Sequence, residues 1–136
     1  MSKVYINMPV VDLSKATAFY QAIGFIKNDQ FSNADASGLA YDDNLHVMLL
    51  THTFTKTFLP AHKTIADSHA TCEVLNALQL DSKEDVNTFV QKAVDAGWKI
   101  TLEYDHGFMY GRDFEDLDGH IWEIFWMDVT QMPPAA

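Results

Sequence analysis

A short apolar run from Val4 to Val10 passes through Asp12 and then changes rhythm, with Leu13, Ala16, Phe19, Tyr20 and Ile23 three or four positions apart before Gly24. That spacing predicts a helix with one apolar stripe. Asp12 can accept hydrogen bonds from first-turn amides, and Gly24 tolerates the left-handed backbone that ends a helix. About seventy residues later the same order of signals returns: Val74 to Leu80, then Asp81 and Ser82, then Val86, Phe89, Val90, Ala93 and Val94 as a stripe, then Gly97. Ser82 is the expected N-cap, and Glu84 and Asp85 suit the positive end of the helix dipole. The chain therefore reads as one unit repeated.

After each helix the period falls to two. Phe25 to Phe31, Ser37 to Tyr41 and Leu45 to Thr51 follow the first, and Trp98 to Tyr104, Phe108 to Phe114 and His120 to Trp126 follow the second. Turn residues such as Asp42-Asp43-Asn44 and Asp118-Gly119 separate them. Each half is βαβββ, so the fold class is α+β: two modules, about 1–52 and 71–127, in tandem within a single domain of residues 1–136. One module alone leaves a sheet face bare, so the mixed sheets are expected to curl round one shared cavity. The connection, 53–70, is longer than most and carries Phe54, Phe58, Leu59, Pro60 and His62, which reads as an arm or lid rather than disorder.

Composition narrows the function. A chain of 136 residues, 48% hydrophobic, has enough material for a core without staples. Nine basic against 19 acidic residues leave a net charge of −10, a field that repels phosphate backbones, so nucleic acid is not expected as a partner. No run of about 18 apolar residues suggests a membrane span. The lone Cys72 cannot form an internal bridge and the first residues lack a signal-peptide pattern, which makes the cytoplasm the expected compartment. Apolar residues in the connection and in the tail (Trp126, Met127, Met132, Pro133) exceed what one small domain readily covers, so a homodimer is expected.

Paired βαβββ modules, the first opening on a strand followed by Asp12-Leu13 and a helix ending in Gly24-Phe25, the second closing with Asp118-Gly119-His120-Ile121-Trp122-Glu123, resemble the vicinal oxygen chelate superfamily. This superfamily includes glyoxalase I, the fosfomycin and bleomycin resistance proteins and the extradiol dioxygenases. The segment Asp105 to Trp126 is similar to a group of bacterial glyoxalase-like proteins, although Leu117 stands where the superfamily commonly has Pro. The resemblance implies four inward metal-ligand positions, which fall on Tyr5, Leu49, Leu75 and Glu123. Only Glu123 is of ligand type, since leucine binds no metal and a neutral phenol binds divalent ions poorly. Shifting the match by two residues offers Asn7, Glu73 or Ala77. No cofactor and no conventional metal centre are therefore expected, while Tyr5 and Asn7 remain candidate substrate-facing residues. The six histidines suggest no other centre: His46 and His120 fall on the wrong parity, His52, His62 and His69 lie in or beside the connection, and His106 is in a turn.

A tight two-residue turn at Leu117 and Asp118 would set Arg112 opposite Glu123, Tyr110 opposite Phe125 and Phe114 opposite Ile121, all towards the cavity. Trp122, Ile124 and Trp126 would then pack under the helices. Arg112, the chain's one arginine, either clamps an anionic ligand or is neutralised by Glu123 as a structural pair. Cys72 reads as a small buried thiol, and Met8, Met48 and Met109 as adaptable packing. No nucleophile elbow or Gly-rich phosphate loop occurs. Two functions follow. One is a glyoxalase-like lyase or isomerase acting next to a carbonyl, with Glu123 as general base and Arg112 or Tyr110 stabilising negative charge. The other is a non-catalytic protein of bleomycin-resistance type that sequesters a small molecule on a floor of Tyr110, Phe114 and Phe125.

Overall fold

Asp12 takes an extended backbone and its carboxylate accepts the Lys15 amide at 3.0 Å, which starts helix α1 (Leu13–Ala22). Gly24, at φ 109°, provides the left-handed residue that turns the chain back into the sheet. Strands β1 (Val4–Val10), β2 (Ile26–Asn28), β3 (Ala36–Ala40) and β4 (Leu45–Thr51) form a four-stranded sheet in the order β1-β4-β3-β2. β1 runs parallel to β4 and the other pairs are antiparallel. In the computed structural model, which describes residues 1–135, these elements belong to one compact unit, Met1–Thr71, and a second unit begins at Cys72.

The second unit repeats the plan. Ser82 accepts the Asp85 amide at 3.0 Å, and with α2 the short helix His52–Lys56, the helix it caps is α3 (Lys83–Asp95). Strands β5 (Leu75–Gln79), β6 (Lys99–Asp105), β7 (Met109–Glu115) and β8 (Ile121–Met127) take the order β5-β8-β7-β6, with β5 parallel to β8. Two βαβββ modules of an α+β fold are thus present.

Each helix covers one face of its own sheet. Under α1 lie Met8, Val10, Leu39, Val47 and Leu49 with Phe19, Tyr20 and Ile23, and the Thr17 and Ser37 hydroxyls share a buried 2.7 Å hydrogen bond that ties helix to sheet. Under α3 lie Phe114, Trp122 and Ile124 with Val86, Phe89, Val90 and Ala93, the Phe89 and Phe114 rings 6.3 Å apart. Burying such side chains contributes about 1.5 to 3 kcal/mol each.

Four local readings change. Cys72, expected to be buried, is exposed, since it lies in the segment between Thr71 and β5 rather than in a strand. The first post-helix strand keeps only three residues, because Asn28 accepts the Gln30 amide and turns the chain into a 3-10 turn, Asp29–Phe31. Val94 is 36% exposed rather than part of the stripe, which ends at Ala93 where α3 runs off the sheet. The connection begins as α2, capped by Thr51 through the Phe54 amide, with Phe54 and Phe58 packed edge to face at 5.0 Å. Among the described residues no helix is long and apolar enough to cross a membrane.

Candidate functional site

The loop between β7 and β8 decides which side chains share a face. It holds three residues, Leu117, Asp118 and Gly119, closed by the Asp116 amide on the His120 carbonyl at 2.9 Å. Gly119 sits at φ 85°, a left-handed conformation suited to glycine, and the Asp116 carboxylate accepts the amides of Asp118 and His120, each at 2.9 Å. Compared with a two-residue turn, the extra residue moves the pairing by one. Asp113 stands opposite Glu123, and Arg112 stands opposite Ile124.

Because side chains alternate along a strand, that single step reassigns β7. Arg112, Tyr110 and Phe114, expected on the cavity floor, lie on the α3 side with Ile124, Trp126 and Trp122. Phe114 is fully buried core. Tyr110 donates to Asn87 Oδ1 at 2.6 Å, and Arg112 donates to the same oxygen at 3.2 Å and to Glu103 Oε1 at 3.0 Å. Lys83 stands 5.7 Å from the Tyr110 ring centre and 5.4 Å from that of Trp126. Arg112 therefore does not stand beside Glu123, and its ion pair is with Glu103 instead. A groove of about 460 Å³ lies here between Asn87, Thr88, Gln91, Lys92, Asp95 and Arg112, but its arginine is already paired with Glu103. Arg112→Met should cost no more than about 1 kcal/mol, as for a part-exposed ion pair, since the Glu103 side chain stays 57% exposed. A thermal melt losing three times that would contradict the assignment.

The opposite, open face of this sheet carries Glu123 and Phe125, as expected, together with Asp113, Gly111, Tyr104, Leu102 and Leu75. A shift in register between Ile100 and Leu102 sets Tyr104 across from Gly111, and a methyl group at Gly111 would collide with the phenol end of the Tyr104 ring. Asp113 is 4% exposed, and its Oδ1 is buried without a hydrogen-bond partner. Burial first, and the charge of Glu123 second, push its carboxyl up to about 6. Burial likewise raises the Tyr104 phenol, with Asp113 and Glu123 adding to the effect, so it stays a protonated donor at neutral pH. Beyond Tyr104 the rings of His106 and Phe108 follow, at 5.6 and then 6.4 Å with interplanar angles of 25° and 28°.

The first sheet has an open face of its own. Tyr5 lies opposite His46, their rings stacked at 4.5 Å, and Asn7 lies two positions along beside Met48. Leu49 is not on that face. It shares the side of Ser37, which bonds α1, and is fully buried.

A metal held by two histidines and two glutamates does not fit these side chains. Leu49 is core, Leu75 is aliphatic, and among the described residues no three His, Cys, Asp or Glu side chains converge. The family model that matches residues 4–124 is Glyoxalase, described as Glyoxalase/Bleomycin resistance protein/Dioxygenase superfamily. The chain belongs to this superfamily. Among solved structures of the glyoxalase fold, a hypothetical protein from S. aureus superposes with a TM-score of 0.75 at 25% identity, covering 93% of this chain and 94% of the other. The fosfomycin resistance protein FosX from Listeria monocytogenes, complexed with Mn(II) and sulfate, gives 0.67 at 20% identity, covering 93% and 90%. A bleomycin-binding protein complexed with bleomycin gives 0.66 at 19% identity, covering 94% and 100%. No curated protein matches the sequence. Structures of this fold thus include a fosfomycin resistance protein and a bleomycin-binding protein, so the fold by itself fixes neither role.

Reading the sequence missed Asp113 and Tyr104 as open-face residues. A signal for the first was present: Asp116-Leu117-Asp118-Gly119 places an Asx-forming Asp three residues before a Gly, the chemistry of a three-residue loop ending in a left-handed residue. Tyr104 depends on a strand irregularity that alternation does not announce.

Proposed function

We propose that this chain binds a small molecule without turning it over, using the open face of the second sheet, as a sequestering protein of bleomycin-resistance type. One observation carries the reading: the residue opposite Glu123 is Asp113. Proton abstraction next to a carbonyl builds negative charge on oxygen, and rate enhancement requires donors or cations aimed at it. Here the charge would grow beside two carboxylates, while Arg112 and Tyr110 are engaged with Asn87 on the other side of the sheet. The apolar and aromatic surroundings, Leu75, Leu102, Phe125 and Tyr104, supply contact area for a bound molecule. The similarity to a protein solved with bleomycin agrees with this choice.

A second reading keeps proton transfer. A carboxyl at about 6 is a stronger base than an ordinary aspartate, and the Tyr104 phenol is a donor on the same face. In that case Asp113 takes the proton, Glu123 sustains its basicity, and Tyr104 donates to the oxygen. An assay on the glutathione hemithioacetal of methylglyoxal, run alone and with nickel, zinc or ferrous ion, separates the two. Binding without chemistry predicts no turnover under any of these conditions. Turnover that disappears in Asp113→Asn and Glu123→Gln would replace the first reading by the second.

A further inference from the structure

The open face of the second sheet has a distinct chemical character. Asp113 and Glu123 are cross-strand neighbours, and Glu115 lies two positions from Asp113 on the same strand. From β6 the same face receives Leu102, Tyr104 and, opposite Glu115 at its end, Lys99. From β5 it receives Leu75, Ala77 and Gln79, which are uncharged. Among the strands of this sheet Lys99 is thus the one cation directed there, and no ion pair joins it to Asp113 or Glu123 among the described residues. Asp113 Oδ1 is a buried acceptor with nothing to accept. Such an atom is costly to leave unmet, and an N–H donor carrying positive charge satisfies both its lone pair and its neighbour's charge.

The second independent feature is aromatic. Tyr104, His106 and Phe108 form a continuous row of near-parallel rings beginning over Gly111, where the missing side chain leaves room for the Tyr104 ring to lie against the sheet. Ring faces attract cations and flat apolar bodies, and with acidic groups beside them the preference is for a positively charged organic molecule over a neutral or anionic one.

We propose that this face recognises a protonated primary or secondary amine borne on an aromatic body, the ammonium donating to Asp113 and Glu123 and the ring lying along Tyr104, His106 and Phe108. The inference rests on the reading of this face as the small-molecule site and adds the class of ligand. The demand for an N–H donor comes from the unmet Asp113 oxygen, so a quaternary ammonium, which keeps the charge but has no N–H, is a poorer ligand. Binding also carries a proton signature. Below about pH 6 Asp113 holds a proton that an ammonium must displace, so affinity should strengthen from pH 5 to pH 7 and complex formation near pH 6 should release a proton.

Calorimetric titration of the full chain with four matched probes tests this: 2-phenylethylamine, phenyltrimethylammonium, 2-phenylethanol and phenylacetate, at pH 5 and 7 and in two buffers of different ionisation enthalpy. The amine should bind, with the alcohol and the quaternary salt each roughly tenfold weaker or more, the anion not at all, and Asp113→Asn reducing amine affinity by roughly tenfold or more. Tyr104→Leu should weaken the amine and the quaternary salt alike. Equal affinity for alcohol and amine, or unchanged amine binding in Asp113→Asn, would overturn the proposal, as would manganese(II) competing for the same residues. Turnover of the hemithioacetal bears on the proposed function alone: a chain that binds the amine and also turns over the carbonyl keeps this inference and loses that reading, whereas a chain inert in both assays keeps that reading's absence of chemistry and loses the inference.

Discussion

Phe114→Ala should destabilise the fold by about 3 to 5 kcal/mol, the usual cost of emptying a large buried aromatic site. Phe114 has no exposed surface, and its ring lies against Phe89 of α3 with Trp122 as its cross-strand neighbour. A side chain lining an open ligand cavity would instead leave water-accessible space when truncated and cost little. Total stabilities for domains run from about 5 to 15 kcal/mol, so the loss is a large share of what holds the chain folded. Equilibrium denaturation in urea measures it. A change below about 1 kcal/mol would mean that Phe114 faces solvent or ligand after all, and that the register between β7 and β8 is wrong.

Asp113→Asn should do the opposite, and only at neutral and alkaline pH. The carboxyl rises from 3.8 to about 6 on folding, so the folded state holds its proton more tightly than the unfolded chain. Well below pH 4 both states are protonated and the group costs nothing. Between about pH 4 and pH 6 the unfolded chain is ionised while the native state still holds its proton, so the native state loses on the order of 3 kcal/mol by about pH 6, and this is not regained above it. Asparagine has no proton to lose. The variant should therefore match the native chain at about pH 3 and exceed it by up to about 3 kcal/mol at pH 8, read from melting curves across that range. Equal stability at pH 8 would mean that Asp113 is solvated. Because the native group weakens the fold at the pH where most proteins work, its presence in a buried position agrees with a binding role rather than a structural one.

Both expectations depend on which way a strand's side chains point, and there the sequence and the structure part company. Helix limits were legible because capping is local: Asp12, Ser82, Gly24 and Gly97 act on backbone groups within one turn of themselves. The two modules were legible because those local signals recur in order. Facing was not, because it is set by counting. A hairpin loop misjudged by one residue leaves every strand in place and transposes its two sides, which is how Arg112 came to be read as a neighbour of Glu123 and Asp113 was passed over. On β4 the position carried over from the family resemblance fell on Leu49, one residue out of step, whereas His46 and not Leu49 occupies the face of Tyr5. Glu123 and Phe125 face as expected, because the apolar Trp122 and Ile124 that alternate with them are buried under α3. Tyr104 was out of reach, since the irregularity at Ile100 and Leu102 changes the alternation midway along β6.

The Leu117-Asp118-Gly119 loop also bears on how such a protein could diversify. Loss of a single codon there would press β7 to exchange its two sides, and the core would resist: Phe114 would have to leave its place under α3 and Asp113 enter it. The length of a surface loop is in this way locked to the buried face of the strand before it, and a gap at this position would have to be matched by repacking in the core.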